Sequence, residues 1–475
     1  MKKTIFLICL LTCLALVLPI SVIGFSLGTA PQFDETFLGE MSAKMERLES
    51  IESPKITVIG GSSVAFGLRS DLMEEQLGMP VVNFGLYASL GTKIMLDMSK
   101  ANVGEGDIIV IAPEQDAQTL STYFNADSAW KAFDGNFEYL KYVDKSDLPA
   151  MAGGLLSFAG EKYRYYSAGA KPAVTGVYTK EAFNEYTDIE YERPSNTMFG
   201  GYDGNNVISF DCSIIEDNFI EYLNQYAEYA RDKGASVYFS FSPMNKEALK
   251  EGTESGDIYE YFKYLQDSLD FPVISNPEVY LMDSVWFYDS NFHMNNAGAV
   301  LHTKHLINDI ILAAGLDKVC TIEDPEAPEE SVNGDNDVTV EEKELFVIGE
   351  NEKGIQILGL TEYGALQTDI EIPQSIDSKT VVAIGEGAFS SNTVLKSLKV
   401  NEGMIYIANG AFEGCMSLER LIINLSEPQQ LRVDEEMLAG AENCTVYIPS
   451  GTYGAFSNDY YWAFFCDLGV VEELQ

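Results

Sequence analysis

The sequence predicts an α/β domain on a parallel sheet, followed by a short repeat solenoid. Three observations carry this expectation: apolar runs alternating with helical periodicity from Lys55, a stretch after Cys320 dense in Asp, Glu and Pro, and an ungapped internal repeat beyond it. Alternating strand and helix patterns place helices on the faces of a parallel sheet. A recurring apolar set at a fixed period makes units that bury their faces against one another.

The chain opens with Lys2 and Lys3, then an uncharged run from Thr4 to Gly28. That run exceeds the ~7–15 residues of a cleavable signal core and approaches the ~20 needed to span a bilayer. It predicts an uncleaved signal anchor over residues 1–30, a single pass with the lysines cytoplasmic and the following domains extracellular. Cys13 invites a lipoprotein reading, but the apolar run continues well past it.

Phe37, Met41, Met45 and Leu48 then recur at helical spacing. From Lys55, "KITVIGG", "PVVNFG" and "DIIVIAPE" read as strands, with "DLMEEQL" and "GTKIMLDMSKA" as the intervening helices. The pattern returns in the helix "FIEYLNQYAEYARDKG", the strands "ASVYFSFSP" and "PVISN", and a last helix from about Asn296 to Ala314. Together these predict one domain over residues 31–320. Residues 125–211 interrupt it with a tyrosine-rich insertion, either a packed cap or an aromatic wall for a sugar-like ligand.

Residues 321–344 read as an extended, self-repelling acidic linker. Its "DNDVTVEE" lacks the glycine and terminal glutamate spacing of an EF-hand loop. Beyond it, in residues 345–475, "IGEGAFSSNTVLKSLKV" and "IANGAFEGCMSLERLII" align at a period of 23, superimposing Ile384 on Ile407, Phe389 on Phe412, Leu398 on Leu421 and Val400 on Ile423. This part resembles the BspA-type leucine-rich repeat of bacterial surface proteins. The resemblance implies a short solenoid with a binding, spacing or cell-surface role, and a structural, buried Cys415.

Composition narrows the function. The chain has 475 residues, is 46% hydrophobic and carries a formal charge of −43. Such an acidic coat argues against nucleic acid and other partners reached through a basic face. Five cysteines lie outside the anchor, an odd number without C-x-x-C pairs, which argues against a disulfide framework. Cys212 has no histidine near it in sequence to make it a nucleophile.

Histidine occurs three times, and the stretch "DSNFHMNNAG" sets His293 four places after Asp289. A nucleophilic hydrolase needs a hydroxyl, a base within hydrogen-bond reach and an acceptor that fixes the base's tautomer. Asp289 and His293 supply the last two. In "VIGGSSVAFG", Ser62 follows a predicted strand and a Gly-Gly pair, so the turn lifts it to the carboxyl edge of the sheet. His302 and His305 share a face of the last helix and read as packing or surface residues.

Three blocks in this order resemble the SGNH (GDSL-like) hydrolase superfamily, over about Lys55 to Gly315. "GGSSVAFG" looks like its nucleophile block, "VVNFGLYASLG" like its second block with Gly85 as an oxyanion donor, and "YDSNFHMNNAGA" like its final block. The relatives it most resembles are membrane-anchored bacterial proteins allied to the acyltransferase-like modifiers of alginate and teichoic acids. The resemblance implies a three-layer fold and a Ser62–His293–Asp289 triad acting on a small acyl ester, such as acetate, of cell-wall or extracellular glycan, without metal or organic cofactor. A transferase with one span would need a membrane partner to export its acyl donor.

Two departures stand out. The family's acid lies three residues before the histidine, where this chain has Ser290; should Asp289 point away, Asp283 is the next acid to consider. The family's third block supplies an asparagine to the oxyanion hole, whereas this chain reads "APEQDAQ". Glu114 as a carboxylate would repel an oxyanion, which leaves Gln115 or Asn83 as side-chain donors. Ser242 and Asn245, in "FSFSPMN", sit at the same sheet edge and either line the pocket or cap a helix "NKEALKEG". The rival reading is an adhesin or scaffold that has lost activity and binds through its repeats.

Overall fold

The computed structural model describes residues 20–328 and 345–474, except 22, 168–175, 199–200, 205, 352, 362–363, 377, 434–436, 442 and 460. Most of the predicted anchor and linker lie outside the described residues. Among the described residues no helix is long and apolar enough to cross a membrane. The described parts of residues 20–167, 176–197 and 206–328 form one compact unit, and those of 198–204 and 345–474 a second.

The first unit is built on four parallel strands: β1 (Ile56–Gly60), β2 (Val81–Gly85), β3 (Ile108–Ile111) and β4 (Ser236–Phe239), in the order β2-β1-β3-β4. The register pairs Ile56 with both Val81 and Ile108, and Ile108 with Ser236. Continuous apolar runs suit strands covered on both faces. Ile59, Ile109 and Ile111 point into one core with α1 (Met41–Ser50), α4 (Thr92–Ser99) and α7 (Asp217–Asp232). Ile56, Val58, Ile108 and Val110 point into another with α2 (Ser62–Gly67), α3 (Ser70–Leu77) and α9 (Asn296–Ala313). The result is a helix–sheet–helix sandwich.

A buried ion pair clamps the amino edge of the two central strands. Lys55 Nζ lies 2.9 Å from Asp107 Oδ2, and Asp107 also accepts from the backbone N–H groups of Lys55 and Gly104. At the opposite edge, parallel order brings the residues after β1, β2, β3 and β4 together.

Some expectations change in detail. Residues 62–67 form a short helix where the sequence predicts a turn, and α8 (Ser255–Ser268) has no counterpart among the predicted elements. The predicted strand "PVISN" contributes only a bridge between Val273 and Phe239. "NKEALKEG" forms one 3-10 turn, Lys246–Ala248, because its backbone is drawn into a ladder: Ile208 N–H donates to the Ala248 carbonyl and Lys250 N–H to that of Ile208. Of the predicted linker, residues 321–328 stay on the first unit, with Thr321 N–H on Gln76 Oε1 and Lys304 paired to Asp324.

The insertion is packed through α5 (Ala126–Ala132) and α6 (Leu148–Ser167), with the Trp130 and Phe158 rings stacked at 5.6 Å and the indole N–H donating to the Met151 carbonyl. Trp130, Phe133, Tyr139 and Phe158 are therefore core, while Tyr163 and Tyr191 are exposed.

The second unit stacks parallel strands Asp369–Glu371, Ser397–Val400, Arg420–Ile423, Thr445–Ile448 and Val471–Glu473, each beside the one before it. Leu398 pairs with Leu421 and Val400 with Ile423, while Ile384 pairs with Ile407 in a separate ladder. The 23-residue period is thus the register of these pairs. Phe389 and Phe412 meet with ring centroids 5.4 Å apart, and buried Cys415 donates to the Phe389 carbonyl.

Candidate active site

Ser62 sits where β1 turns into α2. Gly60 and Gly61 admit close neighbours: a Cβ at Gly60 would lie 2.3 Å from the Ala112 carbonyl oxygen, and one at Gly61 2.8 Å from Glu114 Oε1. The partly exposed Ser62 Oγ lies 2.8 Å from His293 Nε2. His293 Nδ1 lies 2.8 Å from Asp289 Oδ1. The three side chains form a continuous serine–imidazole–carboxylate relay.

The four-residue spacing works because residues 288–293 form a closed loop. Tyr288 N–H donates to the His293 carbonyl, and Phe287 bridges Met294. Asp289 and His293 therefore stand side by side, while Ser290 Oγ accepts from Phe292 N–H inside the loop. Asn295 then caps α9 through Gly298 N–H and donates to the Val285 and Phe287 carbonyls, fixing the loop to the helix. Asp283, by contrast, is exposed beside Lys246.

Two neighbours fix the relay that the sequence reading did not single out. Tyr178, from the insertion, donates to Asp289 Oδ2 at 2.7 Å. The fully buried Phe66 stacks on the His293 imidazole, centroids 3.9 Å apart and 6° from parallel, and also carries the Arg193 guanidinium at 5.2 Å. A tyrosine in an irregular insertion gives no periodic signal. Phe66 follows Ser62 by four residues on a helix that "SSVAFG" is too short to announce.

The expected oxyanion donors are placed otherwise. Gly85 N–H donates to Asn83 Oδ1 at 3.0 Å, and Asn83 Nδ2 donates to Asp188 Oδ1 at 2.8 Å. Asn83 is fully buried and ties β2 to the insertion, since Asp188 also accepts from the Ser70 N–H and hydroxyl. Gln115 is buried too, and its amide donates to the Ser209 carbonyl. Burial requires each amide to find such a partner within the fold.

Glu114 faces Ser62. Its Oε1 lies 3.0 Å from Ser62 Oγ and accepts from Ser63 N–H at 2.8 Å. Burial above all, and then the Asp116 carboxylate, push the Glu114 carboxyl above its ordinary range, against the pull of His293 and the two hydrogen bonds.

Asn245 is fully buried and accepts from Glu247 N–H as a turn cap, and Ser242 Oγ is buried without a hydrogen-bond partner among the described residues. Asn245 thus has a structural task at this turn. His302 is buried in packing, its Nδ1 2.6 Å from the Gly67 carbonyl, and burial lowers its pKa to about 4. No cluster of three or more His, Cys, Asp or Glu side chains suited to a metal occurs among the described residues.

Fold and repeat register define a protein that joins a parallel-sheet α/β unit to a leucine-rich solenoid. Residues 363–452 match the family described as BspA type Leucine rich repeat region, in 6 copies, and this part of the chain is a domain of that type. Among solved structures the chain is similar to a T. pallidum leucine-rich repeat protein (20% identity, TM-score 0.20, covering 23% of this chain and 49% of that one). It is similar also to a leucine rich cell surface protein from Faecalibacterium prausnitzii (20% identity, TM-score 0.20, 23% and 29%). A leucine-rich repeat protein from Bacteroides ovatus matches at 20% identity and TM-score 0.18, over 24% of this chain and 36% of that one. The chain thus spans less than half the length of each. No curated protein matches it.

Proposed function

We propose that the first unit is an SGNH-type serine acyl esterase or acyltransferase that acts on small acyl esters of cell-wall or extracellular glycan. The observation that supports this is the relay itself, Ser62 Oγ to His293 Nε2 and His293 Nδ1 to Asp289 Oδ1, both at 2.8 Å. In this reading Ser62 attacks the acyl carbonyl while His293 takes its proton and later returns it to the leaving alcohol. Asp289 holds the imidazole with Nε2 toward the serine. Water attacking the acyl-enzyme makes an esterase, and a glycan hydroxyl makes a transferase served by a membrane exporter of the acyl donor. The chemistry calls for no cofactor. The N-terminal apolar run and the repeat type support a membrane-anchored place at the cell surface.

A second reading, an inactive adhesin or scaffold binding through its repeats, is favoured by the family match itself and by the Gly85 amide's engagement with Asn83. Hydrolysis of a short-chain aryl acetate by the chain separates the two, with Ser62→Ala and His293→Ala beside it. Turnover lost in both variants supports the enzyme. No turnover, with no covalent reaction of Ser62 with a fluorophosphonate, supports the adhesin.

A further inference from the structure

We propose that Glu114, as the neutral acid rather than the carboxylate, is the side-chain donor of the anion site beside Ser62, and so a catalytic residue of the acyl chemistry. The inference rests on the reading of Ser62 as nucleophile. Its ground is placement: Oε1 lies 3.0 Å from Ser62 Oγ and 2.8 Å from Ser63 N–H, on a side chain only 6% exposed. The absence of a Cβ at Gly61 leaves the room this oxygen fills, so the carboxyl belongs to the site's packing.

When Ser62 attacks an ester carbonyl, the carbonyl oxygen must sit close to Oγ and to a backbone donor. Ser63 N–H, which donates to Glu114 Oε1 at rest, is such a donor once the carbonyl oxygen takes that place, and the carboxyl of Glu114 then lies against the developing oxyanion. An ionised Glu114 would set two anions in contact. A protonated one donates its O–H to the charge, as donors of such sites do. The Asn83 and Gln115 amides are engaged elsewhere, so neither expected side-chain donor takes this place.

The surroundings agree. Asp116 on Glu114's own segment and burial favour the acid, His293 from the 288–293 loop favours the carboxylate, and α2 presents only the neutral Ser62 and Ser63. Asp289 stands behind His293. In the step itself the Oγ–C bond forms, the hydroxyl proton passes to His293 Nε2, and the carbonyl π pair becomes the oxyanion. Glu114 keeps its proton throughout. Collapse restores the carbonyl and expels the alcohol, which takes the proton from His293.

The productive form carries a proton on Glu114, and reactivity disappears as rising pH removes it. The test is the pH dependence, for the full chain, Glu114→Gln and Glu114→Ala, of kcat/KM on an aryl acetate and of the rate at which a fluorophosphonate labels Ser62. The expected result is an alkaline loss in the parent that Glu114→Gln abolishes, because an amide donates at every pH. Glu114→Ala should be slower on the order of 10²–10³-fold, the cost of one lost donor. Labelling that proceeds alike in all three proteins overturns the role of Glu114 alone, as does a faster Glu114→Ala, which would make the carboxyl a plug. A folded parent that neither turns over nor labels removes Ser62 as nucleophile and the role of Glu114 with it.

Discussion

Tyr178 donates its hydroxyl to Asp289 Oδ2 at 2.7 Å, while the other oxygen of that carboxylate holds His293. A residue from the insertion thus orients the acid of a relay otherwise assembled at the sheet's carboxyl edge. A hydrogen bond to a charged group contributes about 1.5–3 kcal/mol. Tyr178→Phe should therefore lower kcat on the aryl acetate roughly tenfold or more and leave KM unchanged. An unchanged kcat would show that the 288–293 loop alone orients Asp289.

Asp289→Asn should be more severe. An amide at that position favours the wrong imidazole tautomer, and the expected fall in kcat is on the order of 10⁴. Asp283→Asn is the matched control. Asp283 is exposed beside Lys246, so its removal should change kcat little. The reverse ranking would reassign the acid.

How much of this was legible follows from what kind of signal each residue leaves. Apolar runs covered on both faces read as β1, β2 and β3 because burial requires continuous hydrophobicity. The pairing of Leu398 with Leu421 was legible as the period of 23, since strand register and repeat length are one quantity. Ser62, His293 and Asp289 could be read from local turns and motif order. Tyr178, Phe66 and the engagement of the Gly85 amide could not, because each depends on what tertiary packing brings to the same point from distant sequence. Glu114 was visible at the end of a strand, but only the enclosing burial gives a reason to consider it as an acid.

The clamp at the amino edge makes a stability prediction. Lys55 and Asp107 are both fully buried, and Asp107 satisfies two backbone amides besides the ammonium. Breaking a buried pair by removing one partner leaves an uncompensated charge and costs about 3–5 kcal/mol. Asp107→Ala should destabilise the chain by that amount in chemical denaturation. A cost under 1 kcal/mol would mean that water reaches Lys55 readily in the variant.

In the solenoid, Asp459 is buried and accepts from the Tyr461 N–H, and desolvation raises its pKa from 3.8 to about 7. The native state therefore holds a proton that the unfolded chain releases above its lower pKa. Between the two values the unfolded state binds fewer protons, so this group's contribution to stability falls as pH rises from about 4 to 7 and is then constant. The full shift sets an upper bound of about 4 kcal/mol. Asp459→Asn should flatten that part of the stability profile, measured by denaturation at pH 4.5 and 7.5 and followed at buried Trp462. The difference between parent and variant isolates Asp459 from the many exposed carboxylates, which titrate alike in both. An identical pH slope in the two proteins would mean that Asp459 is ionised in the folded solenoid.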